Sequence, residues 1–360
     1  MSKTRSDKGP TLTDVARMAG CSPITASRAI NSTSVVSEAL RDKVLAAVAA
    51  LNYQPNIAAQ TLASSRTVSV GVIVPSLTTH IFTDVLGGIY DGIQPTKYRI
   101  VLGNSHYDNE EEERLIGEFL RHKPSAMIVS GSDQTPAARR MLETAGCPVI
   151  QIMDLTDTPI DCIVGFSHFE AGYRMTHHLI DRGYHNIGFI AGWVNQRSRG
   201  RLDGWAAALK EVGRYNPDLF VASSIDGADP VYATIAHSNK RMGELTTAMD
   251  GRLFLRTLFQ REPHLDAVFC NNDILALGVL FEAQALGIQV PRSLGIAGFN
   301  DTELVSAANP PLTSLRTPRY EIGRRAVSEA LERIDRKGAD QRVINLGVEV
   351  VARESTQRDS

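Results

Sequence analysis

The chain has 360 residues, 38 Lys and Arg against 40 Asp and Glu, and 43% hydrophobic residues. It is too long for one compact domain and apolar enough for a large core, yet no apolar run could span a bilayer and no N-terminal apolar stretch could serve as a secretory signal. Cys21, Cys147, Cys162 and Cys270 are scattered without a C-x-x-C, so neither disulfides nor structural zinc are expected, and the expectation is a soluble cytoplasmic protein.

Residues 1–9 read as a disordered, charged tail. Residues 11–31, TLTDVARMAGCSPITASRAIN, read as two short helices joined by a tight turn. Thr13 is the expected N-cap of the first helix, with Asp14 in its first turn where the helix dipole favours an acid. Gly20 supplies the backbone freedom that ends it. Ser22 is placed to cap the second helix, with Pro23 at its first position, where a missing N–H costs nothing. Small and hydroxyl residues make this second helix slim enough for a major groove, with Thr25, Ser27 and Arg28 available to phosphates and base edges. A third amphipathic helix follows around 41–48. Residues 57–63 read by periodicity as one or two further helical turns, too few to be stable alone. Residues 1–66 carry eight Lys and Arg against four Asp and Glu, leaving 30 basic and 36 acidic residues in 67–360. A basic head on an acidic body points to nucleic acid at one end only.

From residue 68 onward, apolar runs at 68–75, 98–103, 126–130, 148–153 and 162–166 read as buried parallel strands. The helices between them fall at 82–94, 110–121 and 136–145, and another follows at 169–182. A second series places strands at 186–191, 219–223, 267–270 and 294–298, with helices at 201–212, 245–259, 274–286 and 319–333. Residues 342–353 supply a late strand pair. Such doubled alternation predicts two doubly wound α/β lobes, with a ligand cleft outside the carboxyl ends of the strands. The expected fold is thus an all-α helix-turn-helix headpiece (10–50), a hinge and linker (51–66), and a two-lobed α/β core (67–360).

The order T-x-x-D-V-A-x-x-A-G through Ser27-Arg28 and Asn31, then Leu51-Asn52-Tyr53-Gln54-Pro55-Asn56, resembles the headpiece of the lactose/galactose-repressor family of bacterial transcription regulators. The likeness continues through Gly71-Val72-Ile73-Val74-Pro75, Asn271-Asn272-Asp273, Gly298-Phe299-Asn300-Asp301 and Leu312-Thr313-Ser314-Leu315, covering about 11–353. It implies a core like that of periplasmic sugar-binding proteins. It also implies DNA contacts from Thr13, Ser22, Pro23, Ile24, Thr25, Ser27, Arg28 and Asn31, and from Asn56, Ala59 and Leu62 of a hinge helix. Leu62 matches the family's minor-groove wedge, which exchanges unstacking for a bend that gains contact.

For the cleft, the resemblance implies effector contacts from Phe82, Asp154, Arg201, Asn272 and Asn300. Asn300 stands where many relatives have Asp, and Arg197, Arg199 and Arg201 crowd one loop. Less acid and more arginine suit an anionic ligand, so Arg197 joins the candidates. Residues 153–171 also resemble the family's gluconate-utilisation branch, which implies a sugar acid such as gluconate or 2-ketogluconate. A neutral sugar or a nucleobase is the alternative. Asp273 is expected as a strand-to-helix cap and Trp205 as core. The chain ends without a leucine heptad, so the expected assembly is a two-fold homodimer on a palindromic operator.

No G-x-S-x-G, P-loop, H-E-x-x-H or dinucleotide fingerprint is present, so an enzyme is not expected, and no cofactor or metal is implied. Gly87-Gly88 with Gly92 sits in a helical pattern and is a weak phosphate-loop candidate. His177-His178 lacks a carboxylate at ligand spacing. The competing class is a transport-associated sugar-binding protein, against which the helix-turn-helix stands.

Overall fold

The computed structural model describes residues 10–31, 36–53, 67–225, 246–336 and 340–358. Expectations at the tail and at Asn56, Ala59 and Leu62 lie outside them. The chain divides into two units, 1–67 and 68–360.

The first unit holds three helices, α1 (Leu12–Ala19), α2 (Pro23–Asn31) and α3 (Glu38–Leu51). The N-cap of α1 is Thr11, not the expected Thr13. The reason is reciprocal capping. Thr11 Oγ1 accepts from the Asp14 N–H at 3.3 Å, and Asp14 Oδ2 accepts from the Thr11 N–H at 2.9 Å. A cap at Thr13 would put Ala16 in the third position, which has no side chain to answer. Gly20 ends α1 at φ +70°, as its residue type implies. Ser22 caps α2 through the Thr25 N–H at 3.1 Å. Val15, Ala16, Ala26, Ala29, Val44 and Ala47 form the small core. Asn52 ends α3 at φ 48°, and Asn is one of the few non-glycine residues that adopts this conformation readily.

The second unit has two six-stranded sheets. One lobe contains β1 (Ser69–Val74), β2 (Arg99–Asn104), β3 (Ala126–Ser130), β4 (Val149–Ile152), β5 (Cys162–Gly165) and the late β11 (Arg342–Asn345), in the order β11-β5-β4-β3-β1-β2. The other contains β6 (Ile187–Val194), β7 (Phe220–Ile225), β8 (Ala267–Cys270), β9 (Gly295–Asn300), β10 (Thr313–Arg316) and β12 (Glu349–Val351), in the order β12-β10-β9-β8-β6-β7. All neighbours are parallel except β10 and β12. β3, β8 and β9 are buried throughout, because helices cover both faces of each sheet.

Helices α4 (His80–Ile93), α5 (Asn109–Arg121) and α6 (Pro136–Glu143) belong to the first lobe. The second has α7 (His168–Asp181), α8 (Gln196–Glu211), α9 (Ala248–Arg261), α10 (Asp273–Ala285) and the short α11 (Glu303–Ser306). Finally, α12 (Arg319–Asp335) returns to pack on α4. The chain therefore crosses between lobes after β5, after β10 and between β11 and β12. The late strands form no pair with each other, contrary to the expectation. Each instead extends a different sheet.

Close helix contacts account for two glycines read as a possible phosphate loop. A Cβ on Gly88 would lie 2.0 Å from the Tyr320 carbonyl oxygen, and one on Gly92 would press on Val327. They let α4 meet α12, and they sit inside a helix rather than a loop.

Candidate functional site

The headpiece offers one face of α2 to its surroundings. Pro23, Ile24 and Arg28 are exposed, while Thr25 and Ser27 are half-buried. Thr13 is exposed on the first turn of α1, and Ser22 is exposed beside its cap bond.

Between the two lobes of the core lies a cavity of about 750 Å³ at the carboxyl ends of the strands. It is large enough for a sugar-sized ligand. Phe82 lines it from α4 and Tyr107 from the loop after β2, with Arg197, Ser198 and Arg201 from α8. Asn271 and Asn272 follow β8, and Phe299 and Asn300 end β9.

Arg201 is the best-positioned group in this cavity. Its Nε donates to Asn271 Oδ1 at 2.6 Å, Nη2 to Ser198 Oγ at 3.0 Å, and Nη1 to His168 Nδ1 at 3.3 Å. The guanidinium lies 4.3 Å from the centre of the Phe299 ring. Every one of these partners is neutral. Burial, then the charge of Arg197, push the Arg201 pKa down to about 9, so it stays cationic at neutral pH. Arg197 reaches the other lobe, donating from Nη1 to Ser130 Oγ at 3.2 Å. Among the described residues neither arginine forms an ion pair with a carboxylate. A third cation, Arg319, is already spoken for: it holds Asp84 at 2.8 Å and donates to the Asn300 carbonyl.

Five of the six expected effector residues line the cavity: Phe82, Arg197, Arg201, Asn272 and Asn300. Asp154 does not. Its carboxylate accepts from Ser132 Oγ at 2.8 Å and from the Leu155 N–H at 2.8 Å, and burial raises its pKa. The roles of Asn272 and Asp273 differ from expectation. Asn272 caps α10, accepting from the Leu275 N–H at 3.0 Å. Asp273, read as the cap, instead accepts from Ser314 Oγ at 2.6 Å and from the Thr302 N–H at 2.7 Å, because its position within the first turn aims it back at the sheet. Trp205 is core, with no exposure.

Asn271, Ser198, His168, Phe299 and Arg319 were not singled out by sequence. Ser198 lies one helical turn before Arg201, so that pair was open to inference. The rest meet Arg201 or Asn300 only through the fold. Among the described residues no group of three or more His, Cys, Asp or Glu could hold a metal ion, and no helix is long and apolar enough to cross a membrane.

His168 fixes the orientation of Arg201 only while neutral. Its Nε2–H donates to the Met153 carbonyl at 3.0 Å, leaving the Nδ1 lone pair for Arg201. Burial, then Arg201 and Arg197, hold its pKa well below the ordinary 6.5. A lowered folded-state value means that the unfolded chain takes up the proton first. The stabilisation is present above about pH 6.5 and declines as pH falls below it. In urea unfolding, the advantage of the wild type over His168→Gln should therefore shrink between about pH 7.5 and 5.5. Asp273, raised to about 6 by burial, has the opposite sign but cancels in the comparison. An advantage that stays constant or grows in acid would contradict the neutral assignment.

Comparison with known proteins agrees with both units. Residues 11–56 match bacterial regulatory proteins of the lacI family, and 67–229 match the periplasmic binding proteins and sugar binding domain of the LacI family. Residues 176–356 match a periplasmic binding protein-like domain. The chain is 38% identical to the HTH-type transcriptional regulator GntR of Pseudomonas aeruginosa over 363 residues, covering 99% of this chain and 100% of that protein. The solved transcription regulator GntR from Chromobacterium violaceum is 34% identical, with a TM-score of 0.72 over 80% of this chain and 99% of that one. The Lac repressor dimer bound to operator and the anti-inducer ONPF is 26% identical, with a TM-score of 0.80 over 97% and 99% of the two chains. These full-length relationships set aside the transport-associated alternative. The chain belongs to the LacI family of bacterial transcription regulators, and it is a GntR-like DNA-binding regulator rather than an enzyme.

Proposed function

We propose that this regulator is a repressor of sugar-acid catabolism, released from its operator by a sugar acid such as gluconate or 2-ketogluconate. Two copies of the headpiece (10–50) read a palindrome, with contacts from Thr13, Ser22, Pro23, Ile24, Thr25, Ser27, Arg28 and Asn31. The hinge (51–66) adds Asn56, Ala59 and the Leu62 wedge. The core (67–360) dimerises and takes the effector between its lobes.

The observation that carries the choice of ligand is a pair of arginines in the cleft. Arg197 and Arg201 line the cavity and are hydrogen-bonded to neutral side chains, and Asn300 lines it at the end of β9 where an acid would be repelled by the ligand's charge. A ligand carboxylate would pair directly with one of the arginines, accepting two parallel bonds from its guanidinium. Phe82, Asn272 and Asn300 would then meet the polyol with an apolar wall and amide groups suited to hydroxyls. Asp154, engaged by Ser132 and the Leu155 N–H of its own lobe, is assigned a positioning role rather than direct binding.

Calorimetry tests this reading. Gluconate or 2-ketogluconate should bind the wild type more tightly than the uncharged sugar of the same skeleton. Asn300→Asp, which restores an acid, should weaken the acid ligand more than the neutral one. Tighter binding of the neutral sugar to the wild type would reject the assignment.

A further inference from the structure

We propose that Ile24 reads the C5-methyl group of a thymine in each operator half-site, making the first turn of the recognition helix an apolar probe. This rests on the family's DNA-binding headpiece and not on the identity of the effector.

The first turn of α2 contains few polar groups free to meet a base. Ser22 and Thr25 face each other, their hydroxyl oxygens 2.8 Å apart, and Ser22 Oγ also accepts from the Thr25 N–H. Pro23 has no N–H to donate. Ile24 is 68% exposed, whereas Ala26 and Ala29 on the same helix are completely buried in the headpiece core. It follows that Ile24 contributes nothing to that core. Arg28 follows one turn later on the same exposed face. The leading edge of the helix thus presents a branched apolar side chain, with one guanidinium behind it.

In the major groove only thymine carries an apolar group on its edge. The edges of adenine, guanine and cytosine present donors and acceptors, which Ile24 would strip of water without replacing the lost bonds. Thymine is favoured because its methyl, beside the O4 acceptor, gives Ile24 an apolar contact that the other three edges lack. Arg28 complements this as a partner for the O6 and N7 acceptors of guanine.

The test uses the full-length protein and an operator selected from randomised duplexes. Each thymine of the half-site is replaced in turn by deoxyuridine, which removes the methyl and leaves base pairing intact. At one position per half-site, the wild type should lose about fourfold in affinity, and about fifteenfold when both half-sites are changed, as expected for one lost methyl contact each. Ile24→Ala should bind the thymine and deoxyuridine operators equally, while Ile24→Val keeps most of the difference. Both variants should retain wild-type melting temperature and non-specific affinity. Indifference of the wild type to deoxyuridine at every position would overturn the proposal. So would a full wild-type penalty in Ile24→Ala, or a loss of its non-specific binding, which would give Ile24 a structural role instead.

Discussion

Arg201→Ala is expected to yield a regulator that holds its operator and no longer answers its effector. In the wild type, Arg201 is held by Asn271, His168 and Ser198 and stacked on Phe299, so its remaining capacity is aimed at the ligand. Truncation would leave ligand oxygens unpaired in the cleft, at about 2–3 kcal/mol, or roughly thirty- to two-hundredfold in affinity. The headpiece is a separate unit, so operator affinity should be unchanged. Calorimetry with the sugar acid, paired with an operator-binding titration, measures both effects. A variant that responds at wild-type ligand concentrations would remove Arg201 from the binding site.

The second large effect is expected from a residue that never touches the ligand. Gly172 in α7 faces the backbone of α8, and a Cβ there would lie 2.1 Å from the carbonyl oxygen of Arg201 itself. Nearby, Gly204 of α8 faces the Phe169 carbonyl at the same hypothetical 2.1 Å. The two helices are locked together through these glycines, and that lock sets where the arginine stands. Gly172→Ala forces backbone apart from backbone, for which no side-chain rotation compensates. We expect a loss of about 1–3 kcal/mol in stability, seen as a fall of about 3–10 °C in melting temperature. Effector affinity should fall as well, because Arg201 shifts relative to Asn271. An unchanged melting temperature together with unchanged affinity would show that α7 and α8 are not held as described.

The fold was legible wherever its determinants are local. The Ser22-Pro23 start of α2, the Gly20 stop and the apolar runs of β3 and β8 each depend on residues a few positions apart, and all appear as read. Errors arose where two local solutions compete. Thr11 and Thr13 both precede an apolar helix, and only the position of Asp14 favours the former. Asn272 and Asp273 are adjacent potential caps, decided by Ser314 from a strand 41 residues away. The residues at 342–353 read as a pair because strand propensity does not say which sheet receives each strand. In the cleft, family resemblance identified residues at strand ends, but not the frame that orients them. His168 and Asn271 lie 33 and 70 positions from Arg201 and reach it only because α7, α8 and the end of β8 come together within the second lobe. Arg319 was missed for the same reason, since it meets Asn300 through the return of α12.

The expected effect of a sugar acid in the cleft is a weaker grip on DNA. It is tested most directly by fluorescence anisotropy of a labelled operator duplex, with gluconate or 2-ketogluconate titrated into the complex. Release should follow occupancy of the cleft, be absent in Arg201→Ala, and be matched by a weaker affinity of the acid for the DNA-bound protein by the same factor. An operator affinity that is indifferent to the acid, or that falls only with a neutral sugar, would contradict it.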